Sequence, residues 1–131
     1  MLKIVKTTLA IAIASSAFAM PAQASVEEAL ANICTIVEAN DKGELRKKLR
    51  RVQNDFNMKL HNYYTGISCN GDSLIRTAIK NDSVDVGTLL VKKMRKADLA
   101  LAEQDGQTLQ SWIEANGHAA SPIAQELAGR I

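Results

Sequence analysis

Aromatic residues and strand signals are scarce in this chain of 131 residues. Phe, Trp and Tyr together make up 4% of the sequence, and no segment alternates apolar and polar residues over the length of a strand. Apolar residues recur instead at intervals of three and four, which is the spacing of one helix face. The sequence therefore predicts an all-α protein.

Sequence motifs for catalysis and cofactor binding are also missing. There is no glycine-rich phosphate loop, no C-x-x-C pair and no serine in a nucleophile motif. The two histidines, His61 and His118, lie in a polar connector and after a helix-ending Asn-Gly pair, where surface or capping roles are expected. We therefore predict no catalytic residue, no metal site and no cofactor. The alternative is a small enzyme whose site is not visible in local motifs.

The first 24 residues have the composition of a cleavable secretory signal. Lys3 and Lys6 give a positive start, residues 7–19 are almost entirely apolar or small, and a small-x-small sequence ends at Ala24. The apolar stretch is shorter than the roughly 20 residues that span a bilayer. Cleavage after Ala24 would leave Ser25 first. We expect a periplasmic or secreted protein with no transmembrane segment after cleavage.

The charge balance changes once this signal is removed. Lys3 and Lys6 belong to the signal, and residues 25–131 contain 14 basic and 14 acidic residues. A chain without net charge is not a polycation that seeks nucleic acid, so no nucleic-acid partner is expected. The length of residues 25–131 fits one domain.

Two cysteines, Cys34 and Cys69, lie after the signal. In an exported chain a disulfide is the expected state of such a pair, because oxidising compartments maintain these bonds. The alternatives are a metal pair or a reactive thiol. The sequence predicts a Cys34–Cys69 disulfide.

Apolar stripes indicate about six short helices, arranged as three helix–turn–helix units. The stripes are Val26-Leu30-Ile33-Val37, Leu45-Leu49-Val52, Leu74-Ile75-Ala78-Ile79, Val86-Leu89-Leu90-Met94, Leu109-Trp112-Ile113 and Ile123-Leu127. Their turns are predicted at Asn40-Asp41, Asn81-Asp82 and Asn116-Gly117, with spacings of 41 and 35 residues. The second spacing is close to the ankyrin period of about 33 residues, although the Thr-Pro-Leu-His signature is missing. A degenerate ankyrin-like stack and another all-α arrangement both remain open.

Part of the chain resembles a known family. The matching residues are Ile33-Cys34, Ala39-Asn40-Asp41 followed by Leu45 and Leu49, and Cys69-Asn70-Gly71 followed by Ser73-Leu74-Ile75. They lie within about residues 26–94 and are similar to a family of small exported bacterial proteins known only as a domain of unknown function. The resemblance implies export and paired cysteines. It implies no active site, because the family has no assigned chemistry.

Residues 42–51 hold six cations and one acidic residue. One interpretation is a surface for an anionic partner, formed by Arg46, Lys47, Arg50 and Arg51. The other is the solvated face of an amphipathic helix whose cations oppose the helix dipole. A second basic run at residues 92–96 favours the latter, because it repeats the same placement at the end of another helix.

The segment between residues 54 and 68 is predicted to be the longest irregular stretch. Tyr63 and Tyr64 within it suit a recognition loop, and they could equally fold back over the core. With no catalytic motif, we expect a binding or structural module of the cell envelope whose partner is an envelope protein or an anionic surface. The alternatives are a small envelope enzyme and a secreted inhibitor or effector of another envelope protein.

Overall fold

The computed structural model describes residues 26–131, so the predicted signal sequence lies outside the described residues. The chain divides into two units, Met1–Ala31 and Asn32–Ile131. In the described part of the first unit, residues 26–29 are helical. The second unit contains every surface and cavity considered below.

Eight α-helices and one 3-10 helix build the second unit, and the described residues contain no strand. The α-helices are α1 (Ile33–Glu38), α2 (Lys42–Phe56), α3 (Leu60–Tyr63), α4 (Leu74–Lys80), α5 (Val84–Lys93), α6 (Lys96–Leu99), α7 (Leu109–Ala115) and α8 (Pro122–Arg130), and the 3-10 helix is Tyr64–Gly66. The predicted all-α class is confirmed.

Short polar side chains cap several of the helices. The carboxylate of Asp41 accepts from the backbone N–H of Glu44 at 3.2 Å and so caps α2. Ser73 caps α4 and Thr108 caps α7, each through a hydroxyl that accepts a backbone N–H three residues later. The two caps lie 35 residues apart and make the same contact, so the second and third helix pairs begin in the same way.

The turns inside the three helix pairs share one geometry. Asn40, Asp82 and Gly117 each have a left-handed backbone, with φ of 57°, 54° and 74°. The residue after each donates its N–H to the carbonyl oxygen five residues earlier, at 3.1, 2.8 and 2.9 Å. This is the bond pattern of a Schellman helix end. Counted on these residues the spacings are 42 and 35; the first differs from the predicted 41 because Asp82, not Asn81, is left-handed.

Neighbouring helix pairs pack side by side through equivalent helices. Helix α1 packs on α4, α2 on α5, and α5 on α8. Helix α5 therefore lies between the other two pairs. Its Gly87 lets α8 pack closely against it, because a Cβ at this position would lie only 2.3 Å from Cδ1 of Ile123. Whether this arrangement is an ankyrin-like stack stays a prediction.

A disulfide joins Cys34 on α1 to Cys69 before α4, with the two Cα atoms 5.6 Å apart. Cys69 begins a tight turn in which Asn70 and Gly71 have φ of 55° and 90°, and it exchanges two backbone hydrogen bonds with Asp72. The turn holds Cys69 where the sulfur of Cys34 can reach it. The predicted disulfide is confirmed.

Two sequence expectations about helix boundaries were wrong. The stripe beginning at Val26 does not form one helix, because Asn32 adopts a left-handed backbone with φ of 64° and α1 starts after it. The segment between residues 54 and 68 is not one irregular stretch either. Helix α2 continues to Phe56, and Leu60 and Tyr63 form a further helical turn that buries both side chains. This turn and α6 raise the helix number from about six to eight.

Candidate functional site: a basic groove

A groove lies between α2 and α5, with the start of α3 completing its wall. Its volume is about 620 Å³, and we call it the basic groove. The lining residues are Arg46, Leu49, Arg50, Gln53, Lys59, Leu60, Lys92 and Lys93. Five of the eight carry a positive charge and none carries a negative charge.

Four of the six cations of helix α2 form two rows, and only one of these rows lines the groove. Leu45, Leu49 and Val52 are buried and fix the rotation of the helix. Arg46 and Arg50, one turn apart, then line the groove. Lys47 and Arg51 lie further from the apolar stripe on the helix surface, and the sequence alone does not show which side of α2 faces α5.

The second row is formed by Lys47 and Arg51, which lie beside acidic residues of their own helix. Lys47 Nζ is 4.0 Å from Glu44, and Arg51 Nε is 3.7 Å from Asp55. These are exposed pairs that contribute little to stability. Of the four cations expected to form one surface, the structure thus brings two into the groove and leaves two outside its lining.

The opposite wall comes from Lys92 and Lys93 in the last turn of α5. Cations at this position interact favourably with the helix dipole. For that reason the sequence favoured a solvated helix face over a surface for an anionic partner. Helices α2 and α5 are the second helices of adjacent pairs and pack on each other, so their cations meet across one groove. Lys59, just before α3, was missed altogether because no local motif marks it.

The five cations have no carboxylate within ion-pair distance among residues 26–131. All five residues are exposed. Apolar surface in the same lining comes from the aliphatic stems of these arginines and lysines and from the small exposed parts of Leu49 and Leu60, 9% and 4% of their surface. Arginine forks and lysine ammonium groups are the usual protein ligands of carboxylates and phosphates. The groove can therefore bind an anion that also carries an uncharged body.

The two tyrosines of the proposed recognition loop lie in the core. Tyr63 and Tyr64 expose 7% and 4% of their surface. Burial raises the pKa of Tyr63 to about 12. Burial, and then the charge of Glu103, hold the pKa of Tyr64 well above its usual value. The sequence left open whether these tyrosines form a recognition loop or fold back over the core, and in the structure both side chains are buried in the core.

A second cluster surrounds the buried guanidinium of Arg76, which is 5% exposed. Arg76 Nη1 and Nη2 donate to the two carboxylate oxygens of Asp105, at 2.7 and 3.0 Å, and Nε lies 2.6 Å from Glu103. The hydrogen bond from Arg76 lowers the pKa of Asp105 to about 2. The guanidinium carbon also lies 5.2 Å from the ring centre of Trp112. We call these residues the Arg76 cluster; it ties residues 103–105 to α4.

Glu103 in this cluster has three partners. It accepts from the Tyr64 hydroxyl at 2.7 Å and from the Ser73 hydroxyl at 2.9 Å, in addition to its contact with Arg76. Two hydroxyl donors and one ion pair thus occupy this carboxylate. Ser73 is also occupied, because its oxygen caps α4. The contacts of Glu103 and Ser73 therefore hold the loop and cap the helix.

A small cavity of about 80 Å³ lies beside the Arg76 cluster, with His61, Tyr64 and Glu103 in its wall and Leu101, 60% exposed, also in its lining. Within residues 26–131 no three His, Cys, Asp or Glu side chains come together as a metal ion would require. The same part of the chain has no helix with the length and apolar character needed to cross a bilayer.

No curated protein and no solved structure shows significant similarity to this chain. A family model does match: the model described as "Protein of unknown function (DUF3718)" aligns with residues 33–101. The match covers more than half of the chain, including both cysteines and all five cations of the basic groove. It also overlaps the segment whose residues suggested a family of this kind. The chain belongs to the DUF3718 family.

Proposed function

We propose that this protein is an exported, non-enzymatic binding module of the cell envelope, and that its basic groove holds an anionic ligand. The observation that carries the proposal is the groove itself. Five cations from three separate segments line one concave surface of about 620 Å³, and no carboxylate lines it. Ligand pockets commonly have volumes of about 300–1,000 Å³.

Electrostatic repulsion opposes this arrangement in the absence of a ligand. Like charges one helical turn apart destabilise a helix by a few tenths of a kcal/mol, and Arg46 and Arg50 are such a pair. On the opposite wall Lys92 and Lys93 add two more positive charges. An anion in the groove would offset this repulsion. The local charge of the groove, and not the net charge of the chain, would therefore attract the anion. At physiological salt the screening length is about 8 Å, and binding would act at contact range.

Export is supported by two features. The first is the charged, apolar and small-residue pattern of residues 1–24. The second is the Cys34–Cys69 disulfide, since such bonds persist mainly in oxidising compartments. Mass spectrometry of protein recovered from expressing cells should find Ser25 as the first residue. An intact residue 1 on the functional protein would contradict this part of the proposal.

The groove is tested by two matched variants of the full chain. Arg46→Gln/Arg50→Gln removes two cations from the lining, and Lys47→Gln/Arg51→Gln removes two from the neighbouring row of the same helix. We expect the first pair alone to weaken binding of citrate or pyrophosphate, measured by calorimetry at low salt. Equal weakening by both pairs would indicate attraction to the helix as a whole and would contradict a groove site.

A further inference from the structure

We infer that the ligand of the basic groove carries two or three phosphoryl groups on an uncharged body. This inference rests on the proposed function, since it names the chemical class of ligand for the same groove. It follows from the charge of the lining, the placement of cations on two walls, and the apolar surface in the same lining.

The charge of the lining sets how much negative charge the ligand brings. Five cations line the groove and no carboxylate offsets them. A phosphomonoester has a charge of about −1.5 to −2 at pH 7, so two or three such groups match five cations. A single carboxylate would leave most of the lining charge uncompensated.

The two walls distinguish phosphoryl groups from carboxylates. Arg46 and Arg50 lie on α2, whereas Lys92 and Lys93 lie on α5. A phosphoryl group has three terminal oxygens in a tetrahedral arrangement. One group can therefore accept from an arginine fork on one wall and from a lysine on the other. A carboxylate has two oxygens in one plane and pairs best with a single fork.

Apolar surface in the lining accounts for the uncharged body. The aliphatic stems of the arginines and lysines contribute to it, beside the small exposed parts of Leu49 and Leu60, and the Gln53 side chain adds hydrogen-bonding capacity there. A sugar ring or a glycerol unit could contact these residues while its phosphoryl groups reach the walls. Such a ligand has two sources: a soluble phosphorylated compound, or a phosphorylated lipid headgroup at a membrane surface.

Calorimetry with three soluble probes of the full-chain protein tests the inference. Fructose 1,6-bisphosphate has two phosphoryl groups, glucose 6-phosphate has one, and citrate carries a comparable charge on carboxylates. We expect the bisphosphate to bind roughly tenfold or more tightly than either of the others at equal ionic strength. Arg46→Gln/Arg50→Gln should weaken that binding by roughly tenfold, because two charge-assisted contacts are lost. The Lys47→Gln/Arg51→Gln control should change it by less than about twofold.

Co-sedimentation separates the two sources of phosphoryl groups. Phosphatidylcholine vesicles that contain phosphatidylinositol 4,5-bisphosphate present two phosphomonoesters on an uncharged ring at the surface, and vesicles with phosphatidylglycerol present only a phosphodiester of the same sign. Groove-dependent binding to the first alone assigns the ligand to a lipid headgroup. Binding of the soluble bisphosphate without vesicle binding assigns it to a free compound.

The failures of the two proposals are distinguishable. Citrate that binds as tightly as the bisphosphate, with loss in the groove variant, would overturn the phosphoryl inference and leave an anion-binding groove. If no anionic probe binds, or if both double variants lose binding equally, the proposed function and the inference both fail. Thermal unfolding of each variant serves as the folding control, since all four substituted residues are exposed.

Discussion

Arg76 and Asp105, 29 residues apart in sequence, form a two-point hydrogen-bonded ion pair with distances of 2.7 and 3.0 Å. Arg76 also donates to the backbone oxygen of Gln107 at 3.1 Å. One guanidinium from α4 therefore fixes the loop that precedes α7. The side chain of Gln104 adds a hydrogen bond from the same loop to the backbone oxygen of Thr65.

This ion pair predicts a specific loss of stability in acid. The pKa of Asp105 falls from its usual 3.8 to about 2 because of the hydrogen bond from Arg76. A carboxyl group with a lowered folded-state pKa stabilises the fold above its unfolded pKa, and it loses that contribution as pH falls through the folded pKa. The melting temperature of Asp105→Asn should lie below that of the wild type by a constant gap above about pH 4, and the gap should close towards pH 2. A gap that stays constant down to pH 2 would show that the charge of Asp105 does not contribute.

The neighbouring tyrosines should respond differently to loss of the hydroxyl. The Tyr64 hydroxyl donates to Glu103 at 2.7 Å, and a hydrogen bond to a charged group contributes about 1.5–3 kcal/mol. The buried Tyr63 hydroxyl has no hydrogen-bond partner among residues 26–131. In urea unfolding, Tyr64→Phe should lower the free energy of unfolding by about 1.5 kcal/mol or more. Tyr63→Phe, the matched control, should leave it unchanged or raise it. The opposite order would mean that the Tyr64–Glu103 bond is not formed in solution.

Two helical glycines offer another matched pair. At Gly87 an added Cβ would lie 2.3 Å from Cδ1 and 2.6 Å from Cγ1 of Ile123, whereas nothing lies within 4 Å of one at Gly129. Gly87→Ala should cost about 1–3 kcal/mol by overpacking, and Gly129→Ala should gain about 0.5–1 kcal/mol through reduced backbone freedom.

A double-mutant cycle then identifies the cause of the Gly87→Ala loss. If contact with Ile123 is responsible, Gly87→Ala should cost less in an Ile123→Ala background than in the wild type. Equal costs in the two backgrounds would place the origin of the effect elsewhere on α5.

Reduction of the disulfide should lower stability substantially. The bond closes a loop with a sequence separation of 35, for which the chain-entropy model gives roughly 3–4 kcal/mol. Cys34→Ala/Cys69→Ala should therefore melt on the order of 15 °C below the oxidised protein. The double variant should be insensitive to reductant, which makes it the control for the wild type with and without dithiothreitol. Equal melting temperatures for oxidised and reduced wild type would contradict a stabilising role.

The helix pairs could be predicted from the sequence because local signals coincide there. Apolar spacing, a capping hydroxyl such as Ser73 or Thr108 and an Asn-Asp or Asn-Gly turn all indicate the same boundaries. The disulfide could be predicted because the chain has two cysteines. Asn32 was missed because a left-handed asparagine inside an apolar stripe has no signature in the stripe itself.

The lining of the basic groove could be predicted only in part. Arg46 and Arg50 were visible as members of a basic helix, but their separation from Lys47 and Arg51 depends on which face α5 covers. The contribution of Lys59 depends on long-range packing. The burial of Arg76 was equally hidden, because its partners lie about 30 residues further along the chain. Local periodicity determines which residues share a helix face, and it does not determine which faces meet.

The Arg76 cluster also shows that the family boundary is not a folding boundary in this chain. The family match ends at residue 101, whereas Glu103 and Asp105, the two acidic partners of the buried guanidinium, come after it. A protein cut at residue 101 would retain Arg76 without either carboxylate and without Trp112, whose ring lies against the guanidinium. The same cut would remove Ile123 and uncover Gly87. The region defined by sequence similarity is therefore smaller than the region that must be made in one piece for its own core to be stable.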